Sequence, residues 1–201
     1  MSEPNPTGIA GADLDGARLA LRAHLLEHSV KTGDFTLKSG KKSTWFIDSK
    51  QTVCRPDAML LVAETVLSLV PDSATAIGGL TMGADPVAFV TAAVAAMKGR
   101  PLNAFSVRKE VKDHGGGGRI AGALDRGDKV VITEDTVTRG SSLLEAAHAV
   151  QETGAEVILL VAVVDRGGTV QAMAAEEGLP FAAVLTAPDL GFPFEGGASS
   201  S

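Results

Sequence analysis

Short apolar runs alternate with helical patterns along most of the chain, and this alternation predicts the fold. The strand-like runs are bounded by turn residues and lie at 74–79, 102–107, 129–134, 157–164 and 181–186. The run at 157–164 is uniformly apolar, which is typical of a strand buried on both faces of a parallel sheet. The pattern therefore predicts an α/β protein with an open, mainly parallel sheet flanked by helices.

The helices between these strands have recognisable ends. Asp85 and Pro86 are suited to the N-cap and first position of one helix, and Gly99 to the position just past its end. Another helix is expected to begin near Ser141 or Ser142, and a short one covers about residues 169–177.

The first quarter of the chain has a different pattern. Residues 1–12 are acidic and rich in small residues, which predicts a disordered lead. A helix is expected from Asp13 onwards. Residues 33–53 mix aromatic, β-branched and turn residues, so we expect short strands joined by a tight turn at Ser39 and Gly40. Pro56 opens a further helix.

Composition and charge restrict the function classes. The chain has 201 residues, a net charge of −6 and a pI of about 5.2, which argues against a nucleic acid or anionic membrane partner. The longest apolar stretch, residues 86–97, is too short to cross a bilayer. Cys54 is the only cysteine, which excludes an internal disulfide, argues against a zinc cluster and fits a reducing, cytoplasmic setting. No signal peptide is recognisable. Neither Cys54 nor His24, His28 or His148 is assigned a role.

The strand at 129–134 runs into an acid pair and then into a turn rich in hydroxyl groups. The stretch reads VVITEDTVTRGSSLLEA, with Glu134 and Asp135 before the turn and a helix after it. The turn and the helix N-terminus present free backbone N–H groups, which favour a phosphate. Two adjacent carboxylates are explained if the ligand also offers hydroxyl donors, as a ribose 5-phosphate does. A capped strand-to-helix turn is the structural alternative, and neither a P-loop nor a dinucleotide motif is present.

Three segments together resemble one enzyme family. VVITEDTVTRGSS resembles the signature with which type I phosphoribosyltransferases bind 5-phosphoribosyl 1-diphosphate (PRPP). FTLKSGKKSTWFIDSK (residues 35–50) and RKEVKDHGGGGR (residues 108–119) resemble the N-terminal segment and the catalytic loop of orotate phosphoribosyltransferases. The resemblance implies transfer of the 5-phosphoribosyl group from PRPP to orotate, giving orotidine 5′-monophosphate and diphosphate in de novo pyrimidine (UMP) biosynthesis.

The resemblance also implies a domain organisation. It covers residues 13–190, nearly the whole chain, as a single domain with the type I phosphoribosyltransferase fold. A small N-terminal hood would be formed mainly by residues 13–55 together with the C-terminal end. Residues 191–201 would be a flexible tail.

Individual residues acquire roles from the same resemblance. Glu134 and Asp135 would bind the ribose hydroxyls. The residues that would hold the 5-phosphate are Thr136, Val137, Thr138, Arg139, Gly140, Ser141 and Ser142. Those that would contact orotate are Thr138, Arg166, Phe46 and Lys38, and Lys38 would also contact PRPP. A guanidinium fork such as that of Arg166 suits the carboxylate of orotate, although a surface charge is the alternative. Phe46 has a core position as its alternative.

The segment 108–119 would bind the diphosphate. The residues implied are Arg108, Lys109, Lys112 and His114. Lys112 and His114 are the catalytic candidates, because the departing diphosphate gains negative charge. Mg²⁺ would arrive bound to PRPP, with no direct protein ligands. In this family the loop reaches the neighbouring subunit's site, which implies a homodimer. The glycines permit movement, so we expect a poorly ordered loop without ligand; a solvated charge run is the alternative.

Two positions depart from the family pattern, and other functions stay open. Met82 stands where many members have a lysine that binds diphosphate, and Arg139 replaces a small residue in the phosphate turn. Arg139 could touch the 5-phosphate or point to solvent. The competing functions are phosphoribosyl transfer to another base, a regulator that senses PRPP without catalysis, and a scaffold.

Overall fold

A six-stranded sheet, described here from a computed structural model, organises the chain. The structure describes residues 13–36, 42–110 and 118–196. Their helices are α1 (Leu14–His28), α2 (Lys50–Val53), α3 (Pro56–Leu67), α4 (Ala84–Met97), α5 (Ser141–Gln151) and α6 (Val170–Glu176). Their strands are β1 (Val30–Thr36), β2 (Lys42–Ile47), β3 (Ala76–Leu80), β4 (Asn103–Val107), β5 (Ile120–Gly122), β6 (Lys129–Val137), β7 (Glu156–Asp165) and β8 (Phe181–Thr186). A short 3-10 helix follows at Pro188–Leu190.

The strand order places a topological switch at the centre of the sheet. The order is β5-β4-β3-β6-β7-β8, and all neighbours are parallel except β4 and β5, which pair antiparallel. From β3 the chain moves towards one edge, and from β6 it moves towards the other. The carboxyl ends of β3 and β6 therefore open a crevice, the usual ligand position in such sheets.

Both faces of the sheet are covered by helices, as the uniformly apolar strands predict. In β6, Val131 joins the core formed with α1, α3 and α4, whereas Val130 and Ile132 join the core formed with α5 and α6. This alternation is the two-residue period of a strand. The prediction of an α/β fold with a mainly parallel, helix-flanked sheet is confirmed.

A separate hairpin follows the first helix. Asp13 caps α1 by accepting a hydrogen bond from the backbone N–H of Gly16 at 2.9 Å. Strands β1 and β2 then pair antiparallel, with Val30 opposite Ile47. The predicted turn at Ser39 and Gly40 lies outside the described residues, as does the lead at residues 1–12.

The structure corrects several predicted boundaries. Asp85 is not the N-cap of α4: the helix begins at Ala84, and the Asp85 carboxylate instead accepts hydrogen bonds from the hydroxyls of Thr81 (2.6 Å) and Ser106 (2.7 Å). Strand β6 continues to Val137, three residues past its predicted end, because it stays paired with β7. The edge strand β5 was not predicted. Gly99 follows the end of α4 with φ +74°, as expected.

Candidate active site

The acid pair lies in the crevice at the carboxyl end of β6. Glu134 and Asp135 are buried, with 7% and 4% of their surface exposed. Gly83, in the turn between β3 and α4, lies directly against them. A Cβ at Gly83 would overlap Glu134 Oε1 and lie 2.7 Å from Asp135 Oδ1. Glycine is therefore needed where the two sheet-end loops meet, because any side chain would displace the carboxylates.

The pKa of Asp135 is lowered by partners from the N-terminal part of the chain. Lys50 Nζ donates to Asp135 Oδ2 at 2.8 Å, and Ser49 Oγ donates to the same oxygen at 2.7 Å. Burial alone would raise this pKa, but the ammonium and hydroxyl groups outweigh it, so the pKa of Asp135 falls below its usual 3.8. In return, Asp135 raises the pKa of Lys50 above 10.5, despite the partial burial of the lysine. Asp135 and Lys50 therefore form a charged pair at neutral pH.

Glu134 has the opposite electrostatics. Burial disfavours its charged form, and the adjacent Asp135 carboxylate repels it, so the pKa of Glu134 rises from 4.5 to about 8. At neutral pH the pair thus holds one proton, on Glu134. A neutral carboxyl group can both donate and accept a hydrogen bond, whereas an ionised one only accepts. The two adjacent acids therefore offer both kinds of partner to a ligand.

The turn between β6 and α5 has the geometry of an anion site. Gly140 adopts φ +78° at the N-cap of α5, a left-handed conformation that favours glycine. Gly140, Ser141 and Ser142 at this end of the helix line the adjoining cavity. Thr136 Oγ1 donates to Ser49 Oγ at 2.7 Å, which ties the start of the turn to the same residues that hold Asp135.

An open cavity of about 930 Å³ joins the turn to the hairpin. Its lining residues are Lys31, Phe35, Thr36, Phe46, Thr136, Val137, Thr138, Arg139, Gly140, Ser141, Ser142 and Arg166. The cavity thus brings together the whole predicted phosphate turn with Phe46 and Arg166. Arg139 is exposed and lines the cavity. Lys38 lies outside the described residues.

Arg166 is buried with its guanidinium held in one orientation. Nη2 donates to the backbone oxygen of Trp45 at 3.0 Å and lies 3.3 Å from Glu195 Oε2. The guanidinium carbon is 4.8 Å from the centre of the Trp45 ring. Ser43 Oγ donates to the Glu195 carboxylate. Arg166 lines the cavity, whereas Glu195 is not among the lining residues.

Residues 192–196, part of the expected tail at 191–201, contact the site. Phe192 stacks on Trp45 with ring centres 4.6 Å apart, and the backbone N–H of Glu195 donates to the oxygen of Arg166 at 3.0 Å. The C-terminal end thereby supports the Arg166 side of the cavity.

The base of the segment 108–119 is closed by hydrogen bonds. The backbone N–H of Arg108 donates to the oxygen of Arg119 at 2.7 Å, and Arg119 Nε donates to the oxygen of Arg108 at 2.7 Å. Arg108 is half-buried and Lys109 is exposed. Lys112 and His114 lie outside the described residues. The expectation of a poorly ordered loop concerns the same residues and stays a prediction.

Comparison with known proteins identifies the family. Orotate phosphoribosyltransferase of Corynebacterium glutamicum is 42% identical over 176 residues, which cover 87% of this chain and 94% of the relative. This chain belongs to the orotate phosphoribosyltransferase family. Solved Mycobacterium tuberculosis orotate phosphoribosyltransferase structures superpose with TM-scores of 0.76 (complex with Fe(III) dicitrate, 38% identity) and 0.73 (complex with PRPP, 34% identity). Each match covers 88% of this chain and 99% of the solved chain. No protein-family model matches.

Family membership makes the type I phosphoribosyltransferase fold a finding rather than an expectation. The structure also brings into the site residues that the sequence did not predict: Ser43, Ser49, Lys50, Gly83 and Glu195. Ser49 and Lys50 close the FTLKSGKKSTWFIDSK segment of the orotate phosphoribosyltransferase resemblance, so their position was a usable signal. Gly83 and Glu195 carry no such signal, because their roles depend on contacts between distant parts of the chain.

The carboxylates of the acid pair are engaged within the protein. Asp135 Oδ2 is already engaged by Lys50 and Ser49, and Glu134 is protonated at neutral pH. Within the described ranges, the one group of three or more His, Cys, Asp or Glu side chains at ligand spacing is His24, His28 and Asp57. None of these three lines the cavity.

Among the helices of the described residues, none is long and apolar enough to cross a membrane.

Proposed function

We propose that this protein transfers the 5-phosphoribosyl group of PRPP to orotate, giving orotidine 5′-monophosphate and diphosphate in pyrimidine synthesis. The observation that carries the proposal is the shared cavity. It brings a hydroxyl-rich turn at a helix N-terminus, just past the Glu134 and Asp135 pair, together with the guanidinium of Arg166. A phosphate, a ribose diol and a carboxylate are the groups that these three features suit, and PRPP and orotate carry all of them.

PRPP is assigned to the β6 end of the cavity. The 5-phosphate accepts hydrogen bonds from the turn Thr136 to Ser142, where N–H groups, hydroxyls and the α5 dipole favour an anion. The ribose hydroxyls lie against Glu134 and Asp135. The protonated Glu134 and the ionised Asp135 then act as donor and acceptor for the two hydroxyls.

Orotate is assigned to the hairpin end of the cavity. Its carboxylate pairs with Arg166, whose one ion-pair partner among the described residues is Glu195. Phe46, 38% exposed and 5.9 Å from Phe35 between ring centres, offers an aromatic face to the pyrimidine. Thr138 and Lys38 complete the contacts to orotate, and Lys38 also contacts PRPP.

Catalysis in this scheme is positioning together with stabilisation of the leaving group. The bond between ribose C1 and the diphosphate oxygen breaks as the orotate ring nitrogen, delivered as an anion that has already lost its proton, bonds to C1. Arg108, Lys109, Lys112 and His114 bind the diphosphate, and Lys112 and His114 neutralise its growing charge. Mg²⁺ bound to PRPP supplies further charge neutralisation. A closed segment 108–119 excludes water, which would otherwise hydrolyse PRPP.

The protein is further proposed to act as a cytoplasmic homodimer whose segment 108–119 reaches the neighbouring subunit's site. The catalytic domain spans residues 13–190, with a hood from residues 13–55 and the C-terminal end. Leu60, Phe89 and Met97 are exposed large apolar side chains on α3 and α4, which supports contact between subunits. The exposed thiol of Cys54 supports a reducing compartment.

The substrate assignment is tested by assaying the purified chain with PRPP and Mg²⁺ against orotate, uracil, adenine and hypoxanthine. Of the four bases, we expect only orotate to be consumed, which is measured as a loss of its absorbance. Activity with another base would reassign the acceptor. Binding of PRPP without turnover of any base would indicate a sensor instead.

The loop roles are tested with Lys112→Ala, which should reduce turnover by orders of magnitude and leave the fold intact. Near-normal turnover would overturn the role of Lys112. Exchange between subunits is tested by mixing Lys112→Ala with Asp135→Asn. Hybrid dimers regain one complete site only if Lys112 acts across the interface, so recovered activity supports exchange. No recovery on mixing would contradict it.

A further inference from the structure

A cluster of two histidines and an aspartate lies outside the cavity, where α1, α2 and α3 meet. His24 and His28 are one helical turn apart on α1, and their ring centres are 4.3 Å apart. Asp57 is in the first turn of α3. The potential ligand atoms of the three side chains all lie within 4.8 Å of one another. We propose that these residues bind a divalent transition-metal ion, with Zn²⁺ the best fit.

His24 is oriented as a metal-bound histidine is. Its Nδ1 is 3.0 Å from Thr52 Oγ1, which in turn is 2.6 Å from Ser29 Oγ. If Nδ1 donates to Thr52, then Nε2 carries the free lone pair and points towards Asp57. Metal-binding histidines usually have such a partner on the second ring nitrogen, because it fixes the tautomer and the ring orientation.

The Nε2 atom of His24 is buried and, among the described residues, accepts or donates no hydrogen bond. The His24 side chain is only 11% exposed. A buried polar atom without a partner is unfavourable, so its position calls for a ligand. Asp57 Oδ1 lies 3.4 Å from this nitrogen, without the geometry of a hydrogen bond. Two ligands of a tetrahedral Zn²⁺ with bonds of about 2.0–2.1 Å are about 3.3 Å apart.

The remaining ligands are available with small movements. His28 is 27% exposed, and its ligand atom already lies within 4.8 Å of those of His24 and Asp57. Asp57 is 65% exposed, so a water molecule can take the fourth position from the solvent side. Glu27 Oε1 lies 3.8 Å from His28 Nε2 and adds negative charge beside the site. Two imidazoles and one carboxylate favour zinc over Mg²⁺, which prefers oxygen ligands.

A bound ion would connect α1 to α3 directly and to α2 through Thr52. Helix α2 begins at Lys50 and carries the lysine that binds Asp135. The ion would therefore stabilise the position of Lys50, which binds Asp135 of the acid pair, without contacting substrate. Because a ligand that binds only the folded state stabilises it, Zn²⁺ should raise the melting temperature of the protein.

The test uses the full chain without a histidine tag, from which metal has been removed with a chelator. Zn²⁺ binding is measured by calorimetric titration with ZnCl₂, in the presence of excess MgCl₂ and without PRPP. One Zn²⁺ per chain is expected. His28→Gln and Asp57→Asn should each weaken binding by at least tenfold and abolish the melting-temperature rise. Thr52→Val should weaken binding by about tenfold, since outer partners of a ligand contribute that much.

Two matched controls separate this cluster from other zinc ligands. His148→Gln removes a surface histidine that lies 3.5 Å from Glu177, and Cys54→Ser removes the exposed thiol. Both should retain wild-type affinity. Co²⁺ in place of Zn²⁺ should give the strong visible bands of a tetrahedral site in the wild type but not in His28→Gln. No zinc binding by the wild type, or equal binding by His28→Gln, would overturn the proposal, whatever the result with orotate.

Discussion

The raised pKa of Glu134 should make the stability of the protein fall as the pH rises. The folded state shifts this pKa from 4.5 to about 8, so between these values the folded state holds a proton that the unfolded state releases. Stability is then lost at about 1.4 kcal/mol per pH unit, or about 5 kcal/mol over the whole interval. By about pH 7 the loss is about 3 kcal/mol.

The variant Glu134→Gln isolates this contribution, because glutamine is the neutral isostere of the protonated acid. It should match the wild type near pH 4.5 and be more stable by about 3 kcal/mol near pH 7. Among the described groups with shifted pKa values, Asp135 and Asp189 titrate below this interval and Lys50 above it. They therefore do not contribute to the slope.

Urea unfolding at several pH values between about 4.5 and 8.5 measures the difference in unfolding free energy between wild type and variant. Glu152→Gln, at an exposed position just after α5, serves as the control and should show no such slope. A constant difference between Glu134→Gln and wild type across this range would refute the electrostatic account. The stabilised variant should still bind PRPP, since the glutamine amide donates and accepts hydrogen bonds as the protonated carboxyl group does.

Three further perturbations test the site geometry. The backbone of Gly83, at φ −62° and ψ −44°, accepts alanine, but the methyl group of Gly83→Ala would displace the carboxylate of Glu134. In steady-state assays kcat/KM for PRPP should therefore fall about 100-fold. An unchanged value would contradict the close contact between Gly83 and Glu134. Glu195→Ala removes the ion pair that orients Arg166, so the KM for orotate should rise about tenfold while the KM for PRPP stays constant. A parallel rise in both KM values would indicate that the whole site is disturbed and not only Arg166. PRPP that binds with Glu134 protonated should release almost no proton from this site at neutral pH, measured by calorimetry in buffers of different ionisation enthalpy; release of close to one proton per site by the wild type but not by Glu134→Gln would contradict the donor role of Glu134.

Local patterns predicted the parts of the fold that depend on local chemistry. The apolar run at 157–164 forms β7, because a strand buried on both faces requires apolar residues throughout. Gly99 follows the end of α4, because its left-handed backbone conformation favours glycine. The N-cap assigned to Asp85 was wrong because tertiary contacts took over its carboxylate. Thr81 and Ser106 donate to it, and the helix begins before it.

Residues of the site were predictable where each lies in a contiguous motif, and less so where the role of a residue depends on its partner from a distant segment. The turn from Thr136 to Ser142 lines the cavity as a single stretch. The partners of Asp135 and Arg166 come from elsewhere: Lys50 and Glu195 are distant in sequence and lie in no motif with them. Their roles arise from electrostatic pairing in the folded state, which spacing along the chain does not reveal.

The bond between Lys50 and Asp135 spans 85 residues of sequence, and this separation has a consequence for folding. Contacts between distant segments carry a high loop-closure cost and usually form late. The central sheet can assemble while the segment that carries Lys50 is still detached, and such an intermediate would lack the core contacts of α1 and the partners of Asp135. Activity should therefore disappear before the sheet does on gradual denaturation, and a fragment that lacks residues before Pro56 should keep much secondary structure but no productive site.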